Sequence, residues 1–219
     1  MATKRTYGEG CAIAHGLDLV GERWALLVVR ELLLGPKRFT DLKKGLPNAS
    51  PNVLSERLQE LERAGVVKRD KLPPPAASQV YALTDWGREL EPTVIALGHW
   101  GARSPSLPHE APIGADSVVL AIKARLSADG LRATYELRLG EGRFRLAVSD
   151  DGIEAARGEA EHADATIDAE PKELYAVLFE GRSLAAALRA KEIRIEGDRA
   201  AVERLVQRPE LDSNQRPTP

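Results

Sequence analysis

Apolar positions in the first hundred residues recur at helical spacing and then give way to alternation. Ile13, Leu17 and Val20 predict a helix from Cys11 to Val20 with one buried face. The nearly continuous apolar run from Trp24 to Leu34, closed by Gly35-Pro36, predicts the central core helix. A shorter helix is expected from Phe39 to Leu46, stopping at Pro47 because a residue before proline is pushed out of the helical region. Ser50 then offers an N-cap hydroxyl, and Pro51 suits the first helical position. A second helix therefore starts there, with Leu54, Leu58 and Leu61 on one buried stripe and Gly65 at its end. Val66–Lys71 and Gln79–Leu83 read as strands separated by the proline-rich loop Leu72–Ser78. Asp85 is expected to cap a helix from Trp86 to Ala102, on which Leu90, Val94, Leu97 and Gly101 share a face.

The polar positions complete this picture. Opposite the leucine stripe the second helix carries Asn52, Glu56, Gln59 and Arg63, with Ser55 and Arg57 on its shoulders. A supporting helix followed by a polar-faced one is the helix-turn-helix arrangement, but two solvated helices of an ordinary bundle would show the same residues. The strand pair that follows favours the first reading, because a hairpin in that place is a wing. Candidate base-reading residues are Asn52, Ser55, Glu56, Gln59 and Arg63, whose donors and acceptors suit base edges in the major groove. Candidate phosphate contacts are Arg38, Lys43, Lys44, Ser50, Arg57, Lys68, Arg69 and Lys71. Between residues 37 and 71 there are nine Lys and Arg, Lys37 among them, against five acids.

Beyond the proline-rich stretch 103–113, which reads as a linker, the pattern changes. Val118, Ile122 and Leu126 predict a helix. Tyr135, Leu137 and Leu139, then Phe144, Leu146 and Val148, then Ile153 and Ala155, alternate with polar residues as meander strands joined by Gly140-Glu141-Gly142 and Asp150-Asp151-Gly152 turns. A short strand over 163–169, helices from Pro171 and over 183–190, a strand over 192–196 and a last helix capped at Gly197-Asp198 follow. Tyr135, Leu137, Leu139, Phe144, Leu146, Leu174, Leu178 and Phe179 either line an apolar ligand pocket or form a filled core. Periodicity is the same for both.

Charge sharpens the division. The net charge of −2 conceals 15 Lys and Arg against 12 acids in residues 1–104, and the remainder is acidic. The basic half is the one with the polar-faced helix. Hydrophobic content of 43% and charged content of 29% fit a soluble globular chain. With no apolar leader and no run long enough for a membrane span, a cytoplasmic protein without membrane partners is expected. A single cysteine excludes an internal disulfide and a cysteine-cluster metal site. Cys11 stands at a predicted helix start near Lys4 and Arg5, which favours thiolate, although a small buried contact residue is the better reading of the sequence. His15, His99, His109 and His162 are isolated, and no metalloprotease, nucleophile-elbow or phosphate-loop signature occurs. Asp150/Asp151 and Glu159/Glu161 read as solvated turns, and Gly8-Glu9-Gly10 lacks the strand a dinucleotide fingerprint needs. No catalytic residue, metal or cofactor is expected.

Specific segments resemble a known family. Cys11-Ala12-Ile13-Ala14, Leu19-Val20-Gly21-Glu22-Arg23-Trp24, Arg30-Glu31-Leu32, Arg38-Phe39-Thr40-Asp41-Leu42, Ser50 to Leu58 and Tyr81 to Gly87 are similar to HxlR-type winged-helix transcription regulators across the first hundred residues. Ala163-Asp164-Ala165-Thr166-Ile167, Leu174 to Leu178 and Ile195-Glu196-Gly197-Asp198 more weakly resemble the sterol-carrier-protein-type domain that follows it in some of them. The resemblance implies an α+β chain, a winged helix-turn-helix domain over 1–103 and a sterol-carrier-like domain over 115–208 with a linker over 104–114 between them; residues 209–219 have no core-forming pattern and are expected to be a disordered tail. It further implies a homodimer that reads a pseudo-palindromic operator in double-stranded DNA, with the first helix and the 86–102 helix supplying the subunit contact. A hydrophobic small-molecule effector in the second domain, and oxidant or electrophile sensing at Cys11, are implied for some members. The alternative from another class is a carrier of lipid-like ligands whose first domain serves only as a partner module.

Overall fold

The computed structural model describes residues 6–71, 78–128 and 130–207. The expected proline loop over 72–77, the tail over 209–219 and the basic pair Lys4 and Arg5 lie outside the described residues. Two compact units divide between Val94 and Ile95.

The N-terminal unit holds α1 (Ala12–Val20), α2 (Ala25–Leu33), α3 (Phe39–Gly45), α4 (Pro51–Arg63), the strands β1 (Val67–Lys71) and β2 (Gln79–Leu83), and α5 (Asp85–Arg88). Its core joins Val28, Val29 and Leu32 of α2 to Leu42 of α3, Leu54, Leu58 and Leu61 of α4, and Val67 and Leu83 of the hairpin. β1 and β2 pair antiparallel, Val67 opposite Leu83 and Lys71 opposite Gln79. Gly65 adopts φ +75° after α4, the left-handed conformation that turns the chain from helix into hairpin.

Four expectations for this unit need correction. Ile13 and Leu17 do not face the core of the chain; they are 75% and 45% exposed, and the buried residue of α1 is Ala14. Trp24 lies outside α2 as its N-cap, at φ +78°, and Leu27 is exposed. The helix expected over 86–102 is two helices, α5 and α6 (Glu91–Ala102), the latter crossing the division between units. Pro92 explains the break, because a proline has no N–H for the carbonyl four residues back but is tolerated in a first turn. The cap of α5 is Thr84, not Asp85: its Oγ accepts from the Gly87 N–H at 2.9 Å and donates to the Gly65 carbonyl at 2.7 Å.

The C-terminal unit contains α7 (Ala115–Arg125), β3 (Ala133–Leu139), β4 (Gly142–Ser149), β5 (Gly152–Arg157), β6 (Ala165–Ala169), α8 (Pro171–Phe179), α9 (Leu184–Arg189), β7 (Ile193–Gly197) and α10 (Arg199–Val206). The sheet order is β5-β4-β3-β6-β7. The meander holds for β3, β4 and β5, but β6 pairs parallel to β3, with Leu137 opposite Ile167. A parallel pair cannot be closed by a hairpin turn, so the chain must cross over the sheet between β5 and β6. Glu136 shows which face it crosses. Its carboxylate, opposite in pleat to Tyr135 and Leu137, accepts from the Ala160 N–H at 3.2 Å and from Arg138 Nε at 2.7 Å. Those bonds, Arg138 first, hold the Glu136 carboxyl below the usual carboxylate range.

Candidate nucleic-acid interface

The polar side of α4 is presented as its cap and stripe require. Ser50 Oγ accepts from the Val53 N–H at 3.3 Å and Pro51 occupies the first turn, so the helix starts on a fixed residue. Leu54, Leu58 and Leu61 are then driven into the core, and Asn52, Glu56, Gln59 and Arg63 stand exposed on the other side, with Ser55 half-buried at the shoulder. Arg63 Nε donates back to the Gln59 carbonyl at 3.3 Å.

The hairpin adds cations beside this helix. Lys68, Arg69 and Lys71 are exposed on β1. Arg69 Nε lies 3.2 Å from a Glu62 carboxylate oxygen of α4, and its guanidinium stands 5.7 Å from the Tyr81 ring on β2. Lys68 is 3.9 Å from Asp70, an exposed pair of the kind that contributes little and yields readily to a phosphate. Arg38 is exposed and donates to Ser78 Oγ at 2.9 Å; Lys43 is half-buried and donates to the Pro47 carbonyl at 2.8 Å; Lys44 and Ser50 are exposed.

Arg57 does not fit the phosphate role. It is only 8% exposed and its guanidinium is paired with Glu60 on the next turn of the same helix. Lys37, counted with the local positive charge, is also buried, and its Nζ is paired with the buried Glu31 carboxylate. Sequence reasoning found neither pair, since Glu31 lies in an apolar run and Lys37 in a basic one. The only signal was the charged residue inside the run from Trp24 to Leu34.

The other candidate positions belong to other elements. Cys11 is exposed in the single chain at the N-cap of α1, and the Ala14 and Ile13 N–H groups lower the pKa of its thiol. In the C-terminal unit Tyr135, Leu137, Leu139, Phe144, Leu146, Leu174 and Leu178 come together as buried core. Phe179 is half-buried at the margin, 5.0 Å from the Tyr175 ring and with Arg125 4.3 Å over its face. The Tyr135 hydroxyl donates to the Ala201 carbonyl at 3.0 Å, and burial pushes its pKa up to about 12. Among the described residues no helix is long and apolar enough to cross a membrane, and no three His, Cys, Asp or Glu side chains are grouped to hold a metal.

A supporting helix, a capped second helix with its polar side outward and an antiparallel hairpin behind it define a winged helix-turn-helix protein. The chain belongs to the HxlR-like helix-turn-helix family, whose model matches residues 19–107, and the SCP-2 sterol transfer family model matches residues 121–207. The uncharacterized HTH-type transcriptional regulator YvaP of Bacillus subtilis (strain 168) is 45% identical over 84 residues, 38% of this chain and 78% of that protein. The HTH-type transcriptional regulator YodB of the same organism is 37% identical over 83 residues, 38% of this chain and 74% of its own length. A solved structure titled as the redox regulator HypR in its oxidized form is 30% identical, covering 44% of this chain and all of that one, with a TM-score of 0.41.

Proposed function

We propose that this HxlR-type transcription regulator binds double-stranded DNA as a homodimer, laying α4 in the major groove of each half of a pseudo-palindromic operator. The observation that carries the reading is the exposed row Asn52, Glu56, Gln59 and Arg63 on a helix whose other side is fixed by three fully buried leucines. Those four, with Ser55, read bases. Arg38, Lys43, Lys44, Ser50, Lys68, Arg69 and Lys71 contact phosphate. A bidentate base contact contributes about 1–3 kcal/mol of discrimination, whereas a phosphate contact contributes equally on every sequence. Affinity for a duplex selected from a random library and for a scrambled duplex, measured across salt, separates the roles. Gln59→Ala narrows the gap between the two duplexes with the salt slope unchanged. Arg69→Ala weakens both alike and flattens the slope by about 1. Equal loss of discrimination in the two variants would refute the division, and no binding by the parent protein would refute the reading.

The working domain limits are 1–103 for the DNA-binding part and 115–208 for the second. The second part is read as the effector half, taking an apolar small molecule. The SCP-2 match over 121–207 supports that reading.

A further inference from the structure

Glu31 and Lys37 are 2% and 5% exposed. Burying two charges to join two segments is a costly design, since packed apolar residues of similar volume often hold a fold as well or better. What an ion pair adds is a single geometry. Lys37 is held at both ends: its backbone bridges β2, with its N–H donating to the Tyr81 carbonyl at 3.0 Å and its own carbonyl accepting from the Tyr81 N–H at 2.8 Å, while its Nζ donates to Glu31. Glu31 is fixed in turn. Its second oxygen accepts from Arg30 at 2.7 Å, and its carboxylate lies against Gly45 at the end of α3, where a Cβ would come within 2.1 Å of Oε2.

Tyr81 carries the arrangement onward, because its ring faces Arg69, which pairs with Glu62 of α4. Contacts therefore run from the core helix through the end of the supporting helix to the hairpin and on to the reading helix. We propose that Glu31 and Lys37 are positioning residues that set the wing against α4, so that Arg69 meets its phosphate in register with the base-reading row. This rests on the DNA-binding reading above. An apolar pair would fill the same space but leave the hairpin free to shift along α2.

The test uses the full chain carrying Glu31→Leu with Lys37→Met, and Glu31→Gln, which keeps the side-chain shape, as a second variant should the first not fold. Amide hydrogen exchange reports the bridge directly. Protection at residues 37 and 81 is expected to fall at least ~10-fold while Val29 and Leu58 keep theirs. Affinity for the selected and the scrambled duplex falls together by about 10-fold, and the salt slope loses about 1. Adding Arg69→Ala to the variant costs nothing further, because its contact is already lost. Unchanged protection at residue 81, or losses that add in full, would overturn the proposal. A parent protein that binds neither duplex would sink the DNA reading instead, and the exchange measurement would still decide whether the pair sets the wing.

Discussion

Charged residues behave here according to what surrounds them rather than how many lie nearby. Two of the nine cations between residues 37 and 71, Lys37 and Arg57, are buried in ion pairs and cannot serve phosphate as solvated charges. Glu136 is the clearest case for pH. Its folded pKa is held below the unfolded value by Arg138 and the Ala160 N–H, so its stabilising contribution is fully present above the unfolded carboxylate pKa of about 4.3 and is lost as pH falls through the folded value. Glu136→Gln should lower unfolding free energy by about 1.5 kcal/mol at pH 7, with the gap between the two proteins narrowing as pH falls below about 4.3 in urea titrations. A constant gap across that range would show that charge is not the cause. Of the residues that matter here, those on α4 were legible in the sequence because cap, stripe and polar face all follow one helical period. Glu31 and Lys37 were not, because pairing across a turn depends on where the bridge to Tyr81 falls, and no local pattern encodes it.

At the scale of elements, the helix read over 11–20 is present as α1, but the chain's own core does not cover the face expected to be buried. Periodicity marks an apolar face but not what covers it: Ile13 and Leu17 repeat at helical spacing and are both open to solvent in the single chain. On α6, Leu97 and Trp100 are likewise exposed, and no residue of that helix is buried. In the homodimer proposed above, the large apolar side chains left open on these helices are the ones a subunit contact would cover. Leu17→Glu should therefore convert a sedimentation mass of two chains to that of one and weaken selected-duplex binding by at least ~10-fold, while circular dichroism stays that of the parent. A variant that still sediments as two chains would remove α1 from the contact. The break between α5 and α6 was also written in the sequence, at Pro92, but the apolar spacing of Leu90, Val94 and Leu97 runs through it and hides it.

On the scale of the whole molecule, two cores in one chain mean that each half can be tested alone. Residues 115–207 expressed by themselves should unfold cooperatively in urea and retain strand signal in the far ultraviolet, since α7, the sheet and α8 to α10 bury their apolar sides within that unit. If that half takes an apolar molecule, native mass spectrometry of material from the host should show a mass above that of the polypeptide; the bare mass would count against the effector reading. The same half also carries a hazard set by its topology. β3, β4 and β5 emerge from the ribosome first and can pair at once, whereas β6 must arrive later to close the other side of β3. During that interval β3 is an open strand edge bearing Tyr135, Leu137 and Leu139 on one face, which is the kind of surface that captures other unfinished chains. Slow or truncated synthesis past Arg157 should therefore yield aggregates seeded at β3.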